Sequence, residues 1–321
     1  MLFLQNLIAG PGLLIFGLAF AVSLLLMPVM LWLAERWVLY DEPSHRKVHN
    51  VPIPRTGGVA IMLGVVAGML LVPMDMHTRI GVLGGCIFLG VFGLWDDLMG
   101  MRPLVKLSAQ FFAELWAVGW GIQIHFVRVP FADLTSIGML GIPLTIFWII
   151  LMINTINLID GVDGLAAGIT FIAGLAILMG GFLINHSQGL LFVLALLGSL
   201  LAFLRYNFSP ARIFMGDSGS MVCGYLLAAA SVLGVFKTTT TFALAMPVLA
   251  LGLPLADTSL AVVRRLRAGR SIFAPDKQHV HHWLLAKGLT QRQVAMTAYS
   301  ITALLSALGV ALVAHGSLSS F

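Results

Sequence analysis

The chain has 321 residues, of which 59% are hydrophobic and only 10% charged, with a net charge of +5. A soluble domain carries roughly 25% charged residues, so a water-soluble globule is excluded and lipid is the expected solvent for most of the chain. The basic balance does not indicate a nucleic-acid partner, because the Lys and Arg residues sit in short segments between apolar runs, a pattern of membrane topology.

Taken in order, apolar runs long enough to span a bilayer lie near 11–34, 59–75, 80–95, 104–122, 141–158, 164–184, 189–205, 219–236, 241–263 and 293–315. The expected fold class is therefore an all-α polytopic membrane protein of about ten transmembrane helices. The fifth and sixth runs are nearly continuous, so nine or eleven are also compatible. The first run has no Lys or Arg before it, the first being Arg36, and reads as a retained span and not a cleaved signal. With the N-terminus outside, 15 of the 18 Lys and Arg residues fall on the inner side and only Arg79, Arg128 and Lys237 on the outer. That asymmetry sets the orientation. In 123–140, Ile122, Ile124 and Phe126 alternate with polar residues before Pro130, which predicts a short external hairpin. Cys86 and Cys223 lie in apolar runs and form neither a disulfide framework nor a metal set. No repeat or low-complexity tract divides the chain, so residues 1–321 are expected to form one membrane domain.

The carboxylates are few and gather at the inner surface. Asp96 and Asp97 end the third run in GLWDDL, Asp160 and Asp163 end the fifth, and Asp217 opens the eighth. Carboxylates at a membrane are costly and are kept mainly for ion or substrate work. The adjacent pair suits a Mg2+ ion or a proton acceptor; a solvated helix end accounts for it equally well. In NTINLIDGVDGLAAG, Asn154, Asn157, Asp160 and Asp163 recur every third residue and share one side of a helix. The plainer alternative is a polar seam between helices.

In NFSPARIFMGDSGS, Asp217 is either a helix N-cap or a metal ligand beside a helix N-terminus whose free N–H groups suit phosphate. Arg212 and Phe214 are candidates for a phosphate contact and an aromatic face for a base. His279, His281 and His282 sit in a basic inner loop whose spacing is poor for zinc. Hydrogen bonding to phosphate or sugar suits them, and a solvated loop is the alternative. Arg46, Lys47, His49 and Arg55, with Lys106 after the acidic pair, are candidates for gathering a phosphate; anchoring to anionic lipid heads explains the first segment as well.

In this order, the DD pair, NxxNxxDGxDGL, FMGDSGS and HVHH resemble the motifs of the polyprenyl-phosphate N-acetylhexosamine-1-phosphate transferase family, over about residues 41–290. The resemblance implies a fold of ten or eleven membrane helices. It also implies transfer of a sugar-1-phosphate from a UDP-sugar to undecaprenyl phosphate, with release of UMP. The implied setting is the cytoplasmic face of the inner membrane, with Mg2+ as cofactor, Mn2+ as a substitute and membrane lipids as surroundings; a homodimer is compatible. Asp96 and Asp97 match the pair tied to acceptor deprotonation and metal binding. Asn154, Asn157, Asp160 and Asp163 match the nucleotide and metal segment, and Phe214 and Asp217 match a base-stacking aromatic and a metal ligand. The expected metal set is Asp217, Asp97 and Asp163. The HxHH form of the histidine motif is similar to that of the GlcNAc-1-phosphate members. Other UDP-sugars, among them GalNAc, QuiNAc, FucNAc and MurNAc-pentapeptide, are alternatives within the class. Outside it stand an ion-coupled secondary transporter and a lipid-binding scaffold. The clustering of carboxylates at one surface and the lack of an inverted repeat weigh against a transporter.

Overall fold

A computed structural model describes residues 10–37, 39–41, 52–127, 135–184, 190–235, 245–271 and 279–318. Among these residues the protein is almost wholly helical. The helices are α1 (Gly12–Trp37), α2 (Gly57–Met69), α3 (Met76–Met99), α4 (Pro103–Gly119), α5 (Gly141–Ile159), α6 (Leu165–Leu183), α7 (Phe192–Asn207), α8 (Gly216–Ala230), α9 (Ala245–Ala250), α10 (Gly252–Arg267), α11 (Val280–Ala286) and α12 (Gln291–Leu318).

Among the described residues, five helical stretches are long and apolar enough to cross a bilayer: Gly12–Trp37, Met76–Met99, Gly138–Ile159, Leu165–Leu183 and Gln291–His315. α2 and α7 are apolar but shorter. Side chains such as Leu25, Trp32, Phe112, Phe147 and Leu304 are exposed on the outside of the bundle. A soluble protein would bury such a surface, so the chain is an all-helical membrane protein.

The breaks between helices have local causes. Asp75 caps α3, its carboxylate accepting the Thr78 N–H at 2.9 Å. α3 runs past position 95 and carries Asp96 and Asp97 in its last turn, and Pro103 then starts α4. The ninth run divides into α9 and α10 at Leu251. The histidine segment, expected to be loop, instead enters the short helix α11, with His279 at its N-cap position. The predicted hairpin is present as an antiparallel pair, Phe126 opposite Ser136 and Val127 opposite Thr135. A second small ladder pairs Tyr40 with Pro54 and Asp41 with Ile53.

Helix α8 is the central post, and every residue from Ser218 to Ala230 is buried. It packs against α2, α3 and α5. Small residues permit the close approach: a Cβ at Gly224 would lie 2.5 Å from the Ile153 Cα, and one at Gly58 would strike the Gly219 backbone. Interhelical hydrogen bonds add to this, from Tyr225 OH to the Gly81 carbonyl at 2.8 Å and from Trp148 Nε1 to Ser231 Oγ at 2.7 Å. Such bonds contribute about 0.6–2 kcal/mol each within a membrane. The ends of α3, α5 and α8 and the start of α4 are thereby brought to one place.

Candidate active site

That meeting point holds most of the acidic residues singled out in the sequence. Lys106, in the first turn of α4, places its Nζ 3.0 Å from Asp96 Oδ2 and 2.5 Å from Asp217 Oδ1. The same Nζ is 3.4 Å from Asn157 Oδ1. Asn157 Nδ2 donates to Asp217 Oδ1 and, at 2.8 Å, to Ser220 Oγ. The spacing Asn154-x-x-Asn157 does not bring both amides to this cluster. Asn154 turns to the neighbouring helix, donating at 2.7 Å to Gln110 Oε1, and so belongs to a polar seam between α4 and α5.

Asp96 and Asp97 divide their tasks. Asp96 is buried, accepting the Met101 N–H at 2.6 Å as well as the Lys106 ammonium. Asp97 reaches across to α8 and accepts the Asp217 N–H at 2.8 Å and the Ser218 N–H at 3.0 Å. It is thus Asp97, not Asp217, that caps α8, and the two amides expected to be open to phosphate are occupied by it. Gly216 makes this approach possible. Its φ is +68°, and a Cβ there would lie 2.6 Å from Asp97 Oδ2. On its other side Asp97 lines a cavity of about 110 Å3 with Tyr40, Arg55, Thr56, Leu94 and Leu98.

Asp160 ends α5 and stands within the field of Asp217 and Asp97. Burial first, then those two carboxylates, push its carboxyl up to about 7, against the opposing pull of Arg55. The four carboxylates of Asp96, Asp97, Asp160 and Asp217 face the two cations Lys106 and Arg55, a formal excess of two negative charges. Oxygen donors with that excess fit a hard divalent cation that retains water ligands.

Asp163 lies apart from this set. Its Oδ2 accepts the Ala211 N–H at 3.0 Å, and its own N–H donates to Gln291 Oε1 at 3.0 Å. Among the described residues no three His, Cys, Asp or Glu side chains form a ready metal cage, so Asp217, Asp97 and Asp163 are not assembled as one triad. Asp163 instead tethers the Asp160–Gly164 turn to the segment before α8. Gly164, at φ +75°, finishes that turn, its N–H donating to Asn207 Oδ1 at 2.9 Å and its carbonyl accepting Tyr299 OH at 2.6 Å. Gln291 and Tyr299, both on α12, are site supports that the sequence did not suggest.

The segment before α8 is held as an edge. The Phe214 N–H donates to the Pro54 carbonyl at 2.7 Å, and the Phe214 carbonyl accepts the Gly57 N–H at 3.0 Å. Phe214 is half-buried and Arg212 exposed, with the Arg212 Cζ 5.7 Å from the Tyr206 ring centroid. Arg46, Lys47 and His49 lie outside the described residues.

The histidine motif approaches from α11. The His279 and His281 rings stack in parallel, 5.7 Å apart at 2°, and His282 is 4.3 Å from His281. His281 packs on Gly161, where a Cβ would lie 3.3 Å from its Nε2. The motif thus touches the turn bearing Asp160. Burial, with His282 and His279 beside it, holds His281 down at about 4, so it is a neutral imidazole at neutral pH. His279 Nδ1 is 2.9 Å from Asp257 Oδ2. Sequence reasoning missed Asp257, whose one signal is a carboxylate within the apolar stretch LPLADTSLAVV.

The pattern of glycosyl transferase family 4 matches residues 79–235. The probable undecaprenyl-phosphate N-acetylglucosaminyl 1-phosphate transferase of Bacillus subtilis is 40% identical over 293 residues, covering 88% of this chain and 81% of that protein. The decaprenyl-phosphate N-acetylglucosaminephosphotransferase of Mycobacterium leprae is 37% identical over 299 residues, covering 83% and 75%. The phospho-N-acetylmuramoyl-pentapeptide-transferase of Desulforudis audaxviator is 31% identical over 339 residues, covering 94% and 98%.

Proposed function

The chain belongs to glycosyl transferase family 4 and is a polyprenyl-phosphate sugar-phosphate transferase; from that premise we propose that it moves GlcNAc-1-phosphate from UDP-GlcNAc to undecaprenyl phosphate, at the cytoplasmic face of the inner membrane, to start a cell-envelope polysaccharide. The observation that carries the reading is the Asp96–Lys106–Asp217–Asn157 cluster set beside a cavity that holds both Asp97 and Arg55. Residues 1–321 act as one membrane domain of about ten spans.

The acceptor phosphate enters the cavity beside Arg55, where Asp97 orients it and takes its proton. One acceptor oxygen then attacks the β-phosphorus of the donor. The new P–O bond forms as the bond from the β-phosphorus to the oxygen bridging to the α-phosphorus breaks, and UMP leaves. Lys106 stands over Asp217 and supplies positive charge where negative charge grows. Direct displacement is favoured over a phospho-aspartate, because a covalent bond to Asp97 would pull an oxygen from the Asp217 or Ser218 amide that it caps, whereas proton transfer needs only a remaining lone pair. Mg2+, or Mn2+ in its place, would be held by Asp217 and Asp160 with water filling the rest of its shell, and would neutralise the donor diphosphate and the leaving UMP. His281 and His282 face the hexose from the Gly161 side.

The test is turnover by purified protein in detergent. With undecaprenyl phosphate and Mg2+, UDP-GlcNAc is expected to yield UMP. A chelator abolishes the yield, and Mg2+ or Mn2+ restores it. UDP-MurNAc-pentapeptide is expected to be refused, because the HxHH form of the histidine motif, with Val280 between His279 and His281, is similar to that of the GlcNAc-1-phosphate members. Efficient use of that donor would move the chain to the peptidoglycan subfamily, and metal-independent turnover would remove the cation from the site.

The orientation has its own test. Cys86 and Cys223 are buried, so single cysteines can be read against a silent background. In intact cells a membrane-impermeant maleimide is expected to label Met139→Cys, an exposed site, and not the exposed Lys287→Cys. The reverse pattern would place the active site on the outer face.

A further inference from the structure

Asp257 is 3% exposed in the middle of α10, and both its oxygens are committed to the start of α11. Oδ1 accepts the Val280 N–H at 3.1 Å, which anchors the N-terminus of that short helix. Oδ2 is 2.9 Å from His279 Nδ1, and His279 is itself 4% exposed. An ionised carboxylate only accepts hydrogen bonds, so Nδ1 must carry the proton and Nε2 is left with its lone pair in the neutral ring. The parallel stack passes this orientation on to His281, which lies against Gly161 beside Asp160. A carboxylate that served only as a helix cap would not need a buried imidazole on its second oxygen.

We propose that Asp257 is a positioning residue for phosphosugar transfer: it fixes the tautomer and ring plane of His279 and, through the stack, the face of His281 presented at the Asp160 turn. This rests on the transferase reading of the same site.

Asp257→Asn separates positioning from capping. The amide has one acceptor oxygen, and if it keeps the Val280 bond it turns its NH2 toward His279. Nδ1 must then accept, and the ring is driven to the other tautomer. The variant is expected to keep wild-type folded yield and a donor KM within about threefold, while kcat falls about 10²-fold. In a His279→Ala background the same substitution is expected to change kcat by less than about twofold, because its effect runs through that ring. Nitrogen-15 histidine spectra supply a readout independent of turnover, with His279 Nδ1 protonated in the wild type and unprotonated in Asp257→Asn. Asp257→Ser, which can still cap Val280 but cannot hold the ring, covers the case in which the Asn variant folds poorly, and is expected to lose kcat to the same extent. A folded Asn or Ser variant with wild-type kcat, or a kcat loss undiminished in the His279→Ala background, would overturn the inference. If the wild-type chain itself released no UMP, the transferase reading would fail instead; an active wild type with insensitive Asp257 variants removes the positioning role alone.

Discussion

Replacing Asp217 by Asn is expected to lower kcat by about 10³-fold or more and to abolish the response of the residual rate to Mg2+. The side-chain oxygen at 217 collects the Lys106 ammonium and the Asn157 amide, and its charge is the one nearest the Lys106 Nζ. Asparagine keeps an acceptor there, so both neighbours stay satisfied and the helix ends stay together. What is lost is the negative charge, and with it the pull on a divalent cation and the balance of Lys106. Because Asp97 supplies the cap of α8, Asp217→Asn should leave folded yield near wild type. Near-normal turnover in that variant would reduce Asp217 to a partner of Lys106.

The acidic pair gives the second large effect, and its two members should differ. Asp97→Asn is expected to bind the UDP-sugar with little change while turning over about 10²–10⁴-fold more slowly, the usual cost of losing a general base. It also surrenders one of two capping bonds on α8, at a cost of about 1 kcal/mol. Asp96→Asn keeps a neutral acceptor for the Met101 N–H and loses the charge that opposes Lys106. Its larger effect should fall on KM, since Asp96 lies behind Lys106 and away from the cavity that Asp97 lines. If both variants merely weaken nucleotide binding, the base assignment is wrong and Asp97 acts through the cation alone.

Much of this arrangement was legible in the sequence, because the cost of a carboxylate at a membrane makes each one conspicuous. Asp96, Asp97, Asp160 and Asp217 stood out for that reason, and the structure gathers them. From sequence Lys106 reads as a substrate contact, while the fold places its ammonium between Asp96 and Asp217; pairing across 111 residues leaves no local trace. The three-residue spacing of Asn154, Asn157, Asp160 and Asp163 suggested one continuous face. The turn at Asp160–Gly164 breaks the helix before Asp163, so that residue points to Ala211 instead of the cluster. The histidine segment was expected to be loop because its helix is a short one, Val280–Ala286, held at its start by Asp257 from another helix. Span lengths misled in the opposite sense. Helices such as α2 reach only 13 residues because Leu70, Leu71 and Val72 continue the apolar run after the helix has ended.

The central claim is that the whole sugar-1-phosphate moves, and that the bond broken lies between the two donor phosphorus atoms. It is tested most directly by following label from UDP-GlcNAc carrying phosphorus-32 in the β position, in the presence of undecaprenyl phosphate and Mg2+. The label is expected wholly in the lipid diphosphate product, with the released UMP unlabelled. Label recovered in UDP would mean that the sugar alone is transferred, and label recovered as free GlcNAc-1-phosphate would mean hydrolysis; either result would contradict the mechanism assigned to Asp97, Lys106 and Asp217.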